Sequence, residues 1–225
     1  MPSYDIAFLG GGTVASMAFF DACSRGYKCI LIEKEKVGMQ TNYASLGLSQ
    51  VGANYLYKDK RIVRMNVIDF GVFKEVAEDF VRIQPFVFPV FPHSRYPVWL
   101  WDGYLSALDH VARFAYSTRH IVLSKEKLLK REPNLKDVSG GAVYHERYFN
   151  PVEFSRALVT ASQRMGGVVL EDTEAKYSAH TNKRFYAGGV SRHGSKDLDW
   201  IYASVFVNAC GPWAPRVLKK VFLIP

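Results

Sequence analysis

The feature that most constrains this chain is a turn of three glycines set between an apolar run and a helical pattern. Ile6 to Leu9 form a short apolar stretch of the kind buried in a parallel sheet, and Gly10-Gly11-Gly12-Thr13-Val14-Ala15 follow at once. Gly10, Gly12 and Ala15 keep the Gly-x-Gly-x-x-Gly/Ala spacing. In that spacing the first glycine permits a tight turn, the second lets backbone N–H groups approach a pyrophosphate, and the small third residue brings the helix close to the strand. The positive end of the helix then faces the phosphates. The helical pattern runs through Met17, Phe19, Phe20, Ala22 and Cys23 and stops at Arg25-Gly26, where glycine suits the left-handed position beyond a helix end. Lys28 to Ile32 read as a second strand. It delivers Glu33 about 20 residues past the glycines, where a carboxylate accepts hydrogen bonds from a ribose diol. That charge disfavours a 2′-phosphate, while Lys34 and Lys36 act in the opposite sense. Strand, turn, helix, second strand and terminal acid in register predict an α/β fold with a Rossmann-like site for an adenine dinucleotide.

Beyond Glu33 the chain departs from a continuous alternation of strands and helices. Val37 to Tyr55 are rich in Gly, Ser, Asn, Gln and Thr and leave the C-terminal end of the second strand, where open α/β sheets bind ligands. Apolar positions at Ile68, Val72, Val76, Phe80 and Val81 predict an amphipathic helix over 67–81. The prolines from Pro85 onward argue against a central strand or a long helix, and the alternation of Val98 to Trp101 suggests a short strand at 97–101. Ser124 caps a short helix that ends before Pro133, and Gly140 to Tyr144 read as a strand. Asn150 as N-cap, Pro151 at the first helical position and Glu153 two residues further mark the next helix, which Gly166-Gly167 end. Val168 to Leu170 then form a short buried strand. A hairpin begins at Thr173 to Tyr177, with turns near Asn182 and His193-Gly194. Ile201 to Asn208 form an apolar strand that enters a second glycine turn, Ala209-Cys210-Gly211-Pro212-Trp213, followed by a helix through Val217 and Leu218. The expected organisation is a dinucleotide-binding domain from residues 1–80 and 150–225, with a partial substrate or cap lobe, 81–149, inserted between them.

With 225 residues, 48% of them hydrophobic, the chain can bury a substantial core. Its net charge of +8 is scattered along the sequence, which reads as a solvated basic surface and not as a nucleic-acid patch. Cys23, Cys29 and Cys210 form no C-x-x-C pair and sit in apolar surroundings, so the expectation is free thiols in a reducing compartment and no metal site. The first apolar run belongs to the nucleotide turn and not to a secretory leader. The most apolar region, Pro85 to Leu105, is broken by prolines and charges and falls short of a membrane span, though it can rest on a membrane surface or line a pocket. The expected location is the cytoplasm, extending to a peripheral position at the inner face of a membrane.

Taken together, the Gly-Gly-Gly-Thr-Val-Ala turn, Glu33, the Thr-Asn-Tyr-Ala-Ser loop ending in Tyr55-Leu56, the Pro85 to Pro92 spacing, Asn150-Pro151 and Asn-Ala-Cys-Gly-Pro-Trp213 resemble a flavoprotein family. It is the D-amino-acid-oxidase type of FAD-dependent oxidoreductase, and within it the glycerol-3-phosphate dehydrogenase branch. The resemblance covers nearly the whole chain. It implies FAD as cofactor, with Gly10, Gly11, Gly12, Thr13 and Val14 at the pyrophosphate, and Glu33 and Lys34 at the adenosine ribose. It implies that Thr41, Asn42, Ser45 and Leu48 line the flavin, that Ala175 sits by the adenine, and that Ala209, Cys210 and Gly211 close over the dinucleotide. The implied reaction takes a hydride from a hydroxyl-bearing carbon of a small molecule, glycerol 3-phosphate in that branch, and passes the electrons to a quinone or another acceptor. The pattern breaks where that branch carries Lys, His and Arg. Here stand Gly47, Gln50 and Asn54; glutamine cannot act as a base, and asparagine lacks the charged fork that grips a phosphate. This leaves another small hydroxy or amino acid open as substrate. His93, His145 and Glu146 are titratable but stand in no motif, so no catalytic residue is assigned. Relatives continue past the Gly-Pro-Trp helix, so the expectation is the N-terminal portion of such an enzyme, one that needs a second subunit, or a non-catalytic dinucleotide-binding subunit.

Overall fold

The computed structural model describes residues 3–49, 55–112, 119–181, 185–192 and 197–221. In chain order the first elements are β1 (Ser3–Leu9), α1 (Thr13–Ser24), β2 (Cys29–Ile32), β3 (Leu48–Ser49), α2 (Lys60–Val76), β4 (Val81–Val90), α3 (Val98–Val111) and β5 (Ile121–Ser124). Then come α4 (Lys125–Arg131), β6 (Gly140–Phe149), α5 (Pro151–Arg164), β7 (Val168–Leu170), β8 (Thr173–Thr181), β9 (Phe185–Arg192), β10 (Asp199–Asn208) and α6 (Ala214–Val221). They divide into two compact units, one of Met1–Leu46 with Asn150–Pro225, the other of Gly47–Phe149.

In the first unit the described strands form one six-stranded sheet in the order β7-β2-β1-β10-β9-β8. The pairs β7-β2, β2-β1 and β1-β10 are parallel, while β10-β9 and β9-β8 are antiparallel. Alternation along the strands builds a core on each face. Phe8, Cys29 and Leu31 point to one side, where they pack with Phe19, Ala22 and Cys23 of α1 and Val159 of α5. Ala7, Leu9, Ile30 and Ile32 point to the other, with Ile201 and Ala203 of β10. Burial on both sides explains why β1 and β2 read as unbroken apolar runs. Phe8 and Phe19 meet edge to face, with centroids 5.8 Å apart. Gly167, just before β7, allows the close approach beneath α1: a Cβ there would stand 2.7 Å from Phe19 Cζ and 2.9 Å from Cys23 Sγ. Cys23, Cys29 and Cys210 are free thiols. Asn150 caps α5 through its side chain, accepting from the N–H groups of Val152 and Glu153. The predicted turns near Asn182 and His193-Gly194 lie outside the described residues.

The second unit is built on β6, which pairs antiparallel with β4 along its whole length and with β3 and β5 on its other side. The segment 81–90 is a ten-residue strand at the end of the sheet order β3-β6-β4, and as the prolines require it is not central: an edge strand tolerates the N–H donors missing at Pro85 and Pro89. Other expectations are corrected here. Val98 to Trp101 are not a short strand but the first turn of α3, entered from Pro97 as N-cap. The helix expected over 67–81 is α2, which starts at Lys60, where Asp59 accepts from Arg61 N at 2.9 Å, and ends at Val76. The domain boundary moves with it. Residues 47–80 belong to the second unit, not the dinucleotide-binding part, because Val63 of α2 is buried against Leu105 and Leu108 of α3 and Ala142 of β6.

One charged cluster binds α3 to the segment entering β5. The His120 ring sits between two carboxylates, Nδ1 2.7 Å from Asp109 Oδ2 and Nε2 2.9 Å from Asp102 Oδ1. Only the imidazolium donates from both nitrogens. Burial pulls the His120 pKa down, but the hydrogen bonds to Asp102 and Asp109 outweigh it and the value is raised. A raised folded-state pKa means that this stabilisation is fully present below the unfolded value, about 6.5, and is lost as pH rises through the folded one. Thermal melts from pH 5.5 to 8.5 are expected to fall in midpoint across that window, and His120→Gln is expected to flatten the fall.

Candidate functional site

In open α/β sheets ligands settle beyond the C-terminal ends of the strands, where the strand order reverses. In this sheet that place lies between β1, which runs on to α1, and its neighbours β2 and β10. A cavity of about 440 Å³ opens there. Two turns make its walls. Gly10 N–H donates to Ile32 O at 2.9 Å and Ala209 N–H donates to Leu9 O at 2.9 Å, so the ends of β2, β1 and β10 are tied side by side. Gly10 has φ +106°, and a Cβ on it would lie 2.6 Å from Ala209 O. A residue with a side chain does not fit between the two turns.

The first turn carries the anion-binding character of the cavity. Gly10, Gly11, Gly12, Thr13 and Val14 all line it. Gly12 is the N-cap of α1 and makes no side-chain cap bond, and no acidic residue stands in the first helical turn. By contrast α2, α4 and α5 are capped by Asp59, Ser124 and Asn150. The leading N–H groups of α1 therefore face the cavity without a side-chain acceptor, a donor set suited to a phosphate. Gly12 also leaves room, since the nearest atom to a Cβ there would be Asn42 Oδ1 at 3.8 Å.

Glu33 lies at the end of β2 and is buried, 8% exposed. Its carboxylate is held by backbone donors: Gly11 N–H reaches Oε2 at 2.6 Å and Glu35 N–H reaches Oε1 at 2.9 Å. Burial pushes its pKa up, against the lowering pull of the Glu35 and Gly11 N–H groups. Each oxygen keeps a further lone pair for a diol. The lysines near it have acidic partners, but unevenly: Lys36 has two carboxylates, whereas Lys34, Lys176 and Lys220 share one. Lys36 meets Asp172 at 2.6 Å and Glu171 at 3.4 Å, and Glu174 holds Lys34 at 3.7 Å, Lys220 at 3.6 Å and Lys176. Burial opposes ionisation of Glu174, but these lysines keep its pKa low.

The second turn adds Ala209, Cys210 and Gly211, with Ala175 of β8 nearby in the lining. Cys210 gives its thiol to Leu9 O at 3.3 Å, and burial together with Glu33 pushes its pKa up to about 11. It is a neutral packing thiol, not a nucleophile. Thr41 and Asn42 line the cavity, but Ser45 and Leu48, named with them from the sequence, do not. Ser45 turns back to give its hydroxyl to Asn42 O at 2.9 Å, and Leu48 pairs with Tyr148 in the second unit. The residues missed from sequence are Trp213, Arg216, Val217 and Lys220, which line the cavity from α6 and the turn before it. Their i, i+3, i+4, i+7 spacing was a readable signal. Arg216 is the cavity-lining cation with no acidic partner among the described residues.

A parallel β-α-β core in this strand order, an uncapped helix start and a carboxylate at the end of β2 define a dinucleotide-binding α/β protein. The chain belongs to the DAO family of FAD dependent oxidoreductases, which it matches over residues 5–225. It is 27% identical over 220 residues to the glycerol-3-phosphate dehydrogenase of Pseudomonas tolaasii, covering 96% of this chain and 41% of that protein. It is 26% identical over 234 residues to the mitochondrial glycerol-3-phosphate dehydrogenase of Mesocricetus auratus, covering 96% of this chain and 32% of that one. The chain thus spans well under half the length of these relatives. In fold it is similar to the glycerol-3-phosphate dehydrogenase of Bacillus halodurans complexed with FAD, with TM-score 0.69 and 19% identity over 97% of this chain and 36% of that one. It is similar to glycine oxidase from Geobacillus kaustophilus, with TM-score 0.70 and 19% identity over 98% of this chain and 58% of that one. Among the described residues no helix is long and apolar enough to cross a membrane, and no cluster of His, Cys, Asp and Glu could hold a metal.

Gly10→Ala is expected to destabilise the first unit by at least about 1–3 kcal/mol, from the positive φ and the forced separation of the two turns. Urea unfolding of the variant beside the parent chain measures this.

Proposed function

We propose that the chain holds FAD in the cavity between its two glycine turns and serves an FAD-dependent oxidation of a small hydroxyl-bearing substrate of the glycerol 3-phosphate kind. The observation that carries the reading is the uncapped, acid-free start of α1 opening on the same cavity as the buried Glu33 carboxylate. FAD would supply hydride acceptance; the protein's part is to bind, orient and exclude water. The N–H groups of Gly12, Thr13 and Val14 would hold the pyrophosphate, with Arg216 available to its charge. Glu33 would take the ribose hydroxyls, with Lys34 beside it, and Ala175 leaves space for the adenine. Ala209, Cys210 and Gly211 would cover the dinucleotide from the second turn. Thr41 and Asn42, which line the cavity, would face the flavin, and for Ser45 and Leu48 that role rests on the resemblance alone. Electron transfer to a quinone or other acceptor, a membrane surface and a second subunit are proposals drawn from the longer relatives and the apolar 85–105 segment.

A second substrate reading has its own support. Gly47 stands where the dehydrogenase branch carries a lysine; it has φ +62°, and a Cβ would lie 2.3 Å from Phe149 O. A lysine does not fit that backbone. This favours a different small hydroxy or amino acid, in keeping with the glycine oxidase fold neighbour.

Purified protein mixed with FAD and desalted is expected to stay yellow, and a colourless product would refute the cofactor assignment. Dye reduction by the loaded protein with glycerol 3-phosphate, glycine and small 2-hydroxy acids separates the substrate readings. Turnover of glycerol 3-phosphate alone would remove the second, and bound flavin with no reduction would point to a binding subunit.

A further inference from the structure

We propose that Asn42 is a positioning residue that acts through Thr13, orienting the Thr13 hydroxyl so that it donates its proton to an anionic oxygen in the cavity. The inference rests on the dinucleotide reading of that cavity and gives Asn42 a task other than lining the flavin.

Four groups from three parts of the first unit meet here. Asn42 Nδ2 lies 2.7 Å from Thr13 Oγ1, 3.0 Å from Ser155 Oγ and 3.5 Å from Pro151 O. Ser155, fully buried on α5, gives its own proton to Pro151 O at 2.7 Å. These partners settle which end of the amide is which. Ser155 has no second proton and Pro151 O is an acceptor, so the atom facing both must be the NH₂ group. Its two protons go to the two nearest acceptors, Thr13 Oγ1 and Ser155 Oγ. One lone pair of Thr13 is thereby taken, and the proton of its hydroxyl is the one in the cluster not committed to a short bond.

That proton has two destinations. Ser155 Oγ stands 3.2 Å away and already accepts from Asn42, whereas a phosphate oxygen in the cavity is charged and the stronger acceptor. Thr13 lines the cavity at the first position of α1, next to Gly12 and Val14, which line it too. Asn42 occupies one lone pair of Thr13 and also the Ser155 oxygen that competes for the Thr13 proton, and so favours the rotamer of the hydroxyl in which that proton goes to the phosphate. If the amide is removed, Ser155 loses its donor and competes for the Thr13 proton.

The test is calorimetric titration of the purified full chain with ADP and with adenosine. Asn42→Ala is expected to weaken ADP roughly tenfold, the worth of one hydrogen bond to a charged group, and to leave adenosine within about twofold. In a Thr13→Val background the same change is expected to have no further effect on ADP. Ser155→Ala should weaken ADP in the same direction by less. Should Asn42→Ala fail to fold by circular dichroism, Asn42→Gln, whose longer amide overshoots Thr13, carries the same expectation. Equal losses for ADP and adenosine, or an undiminished effect in the Thr13→Val background, would overturn the inference while leaving the dinucleotide reading standing. A parent chain that binds neither ADP nor FAD would remove both.

Discussion

The closeness of two pieces of backbone governs the site. Leu9 and Ala209 are joined by a 2.9 Å hydrogen bond, and the space between Gly10 and Ala209 admits no Cβ. Everything chemically useful in the first unit depends on that proximity. It aligns the ends of β1 and β10, sets α1 and the turn before α6 on opposite sides of one cavity, and brings residues from the two ends of the chain to within ligand distance of each other. Glu33 is drawn into the same arrangement through Gly11, whose N–H it accepts at 2.6 Å. A carboxylate buried this way has a cost in desolvation, and the two backbone donors offset part of it.

The electrostatics of the cavity follow a division of labour. Positive character comes in part from backbone N–H groups at the start of α1, which need no counter-ion. Four lysines, Lys34, Lys36, Lys176 and Lys220, face three carboxylates, Glu171, Asp172 and Glu174, so an excess of positive charge remains among these groups. Fixed dipoles, that excess and Arg216, which has no acidic partner among the described residues, together favour an anion.

Much of the first unit was legible in the sequence because its signals are local. The glycine turn, Glu33, the Asn150-Pro151 helix start and the second glycine turn each rest on a few neighbouring residues whose backbone needs only certain side chains meet. The second unit was read less well, and for identifiable reasons. Pro85 and Pro89 forbid a central strand, but nothing local says that β4 lies at an edge. Trp99 and Trp101 alternate with Val98 and Leu100 like a strand, yet α3 wins because Leu105 and Leu108 bury against Val63, a contact 42 and 45 residues distant in sequence by subtraction of those numbers. Within the site, the α6 contribution was spelled out in helical spacing. That Ser45 and Leu48 do not line this cavity was not, since it depends on where the loop turns back.

The route of the chain between β2 and β7 has its own consequence. These strands lie side by side, yet all of Gly47–Phe149 is threaded between them. Their pairing must close a very large loop, whose entropic penalty rises only slowly with length but whose formation is slow in time. On a ribosome, β1, α1 and β2 emerge long before either neighbour that completes their sheet, leaving both apolar edges bare during synthesis. Collapse of the intervening unit, whose ends are joined by a 2.8 Å bond from Phe149 N–H to Gly47 O, shortens the effective loop that the β2-β7 pairing must close. Assembly order, and with it exposure to aggregation and chaperones, is thus written into the position of the insertion.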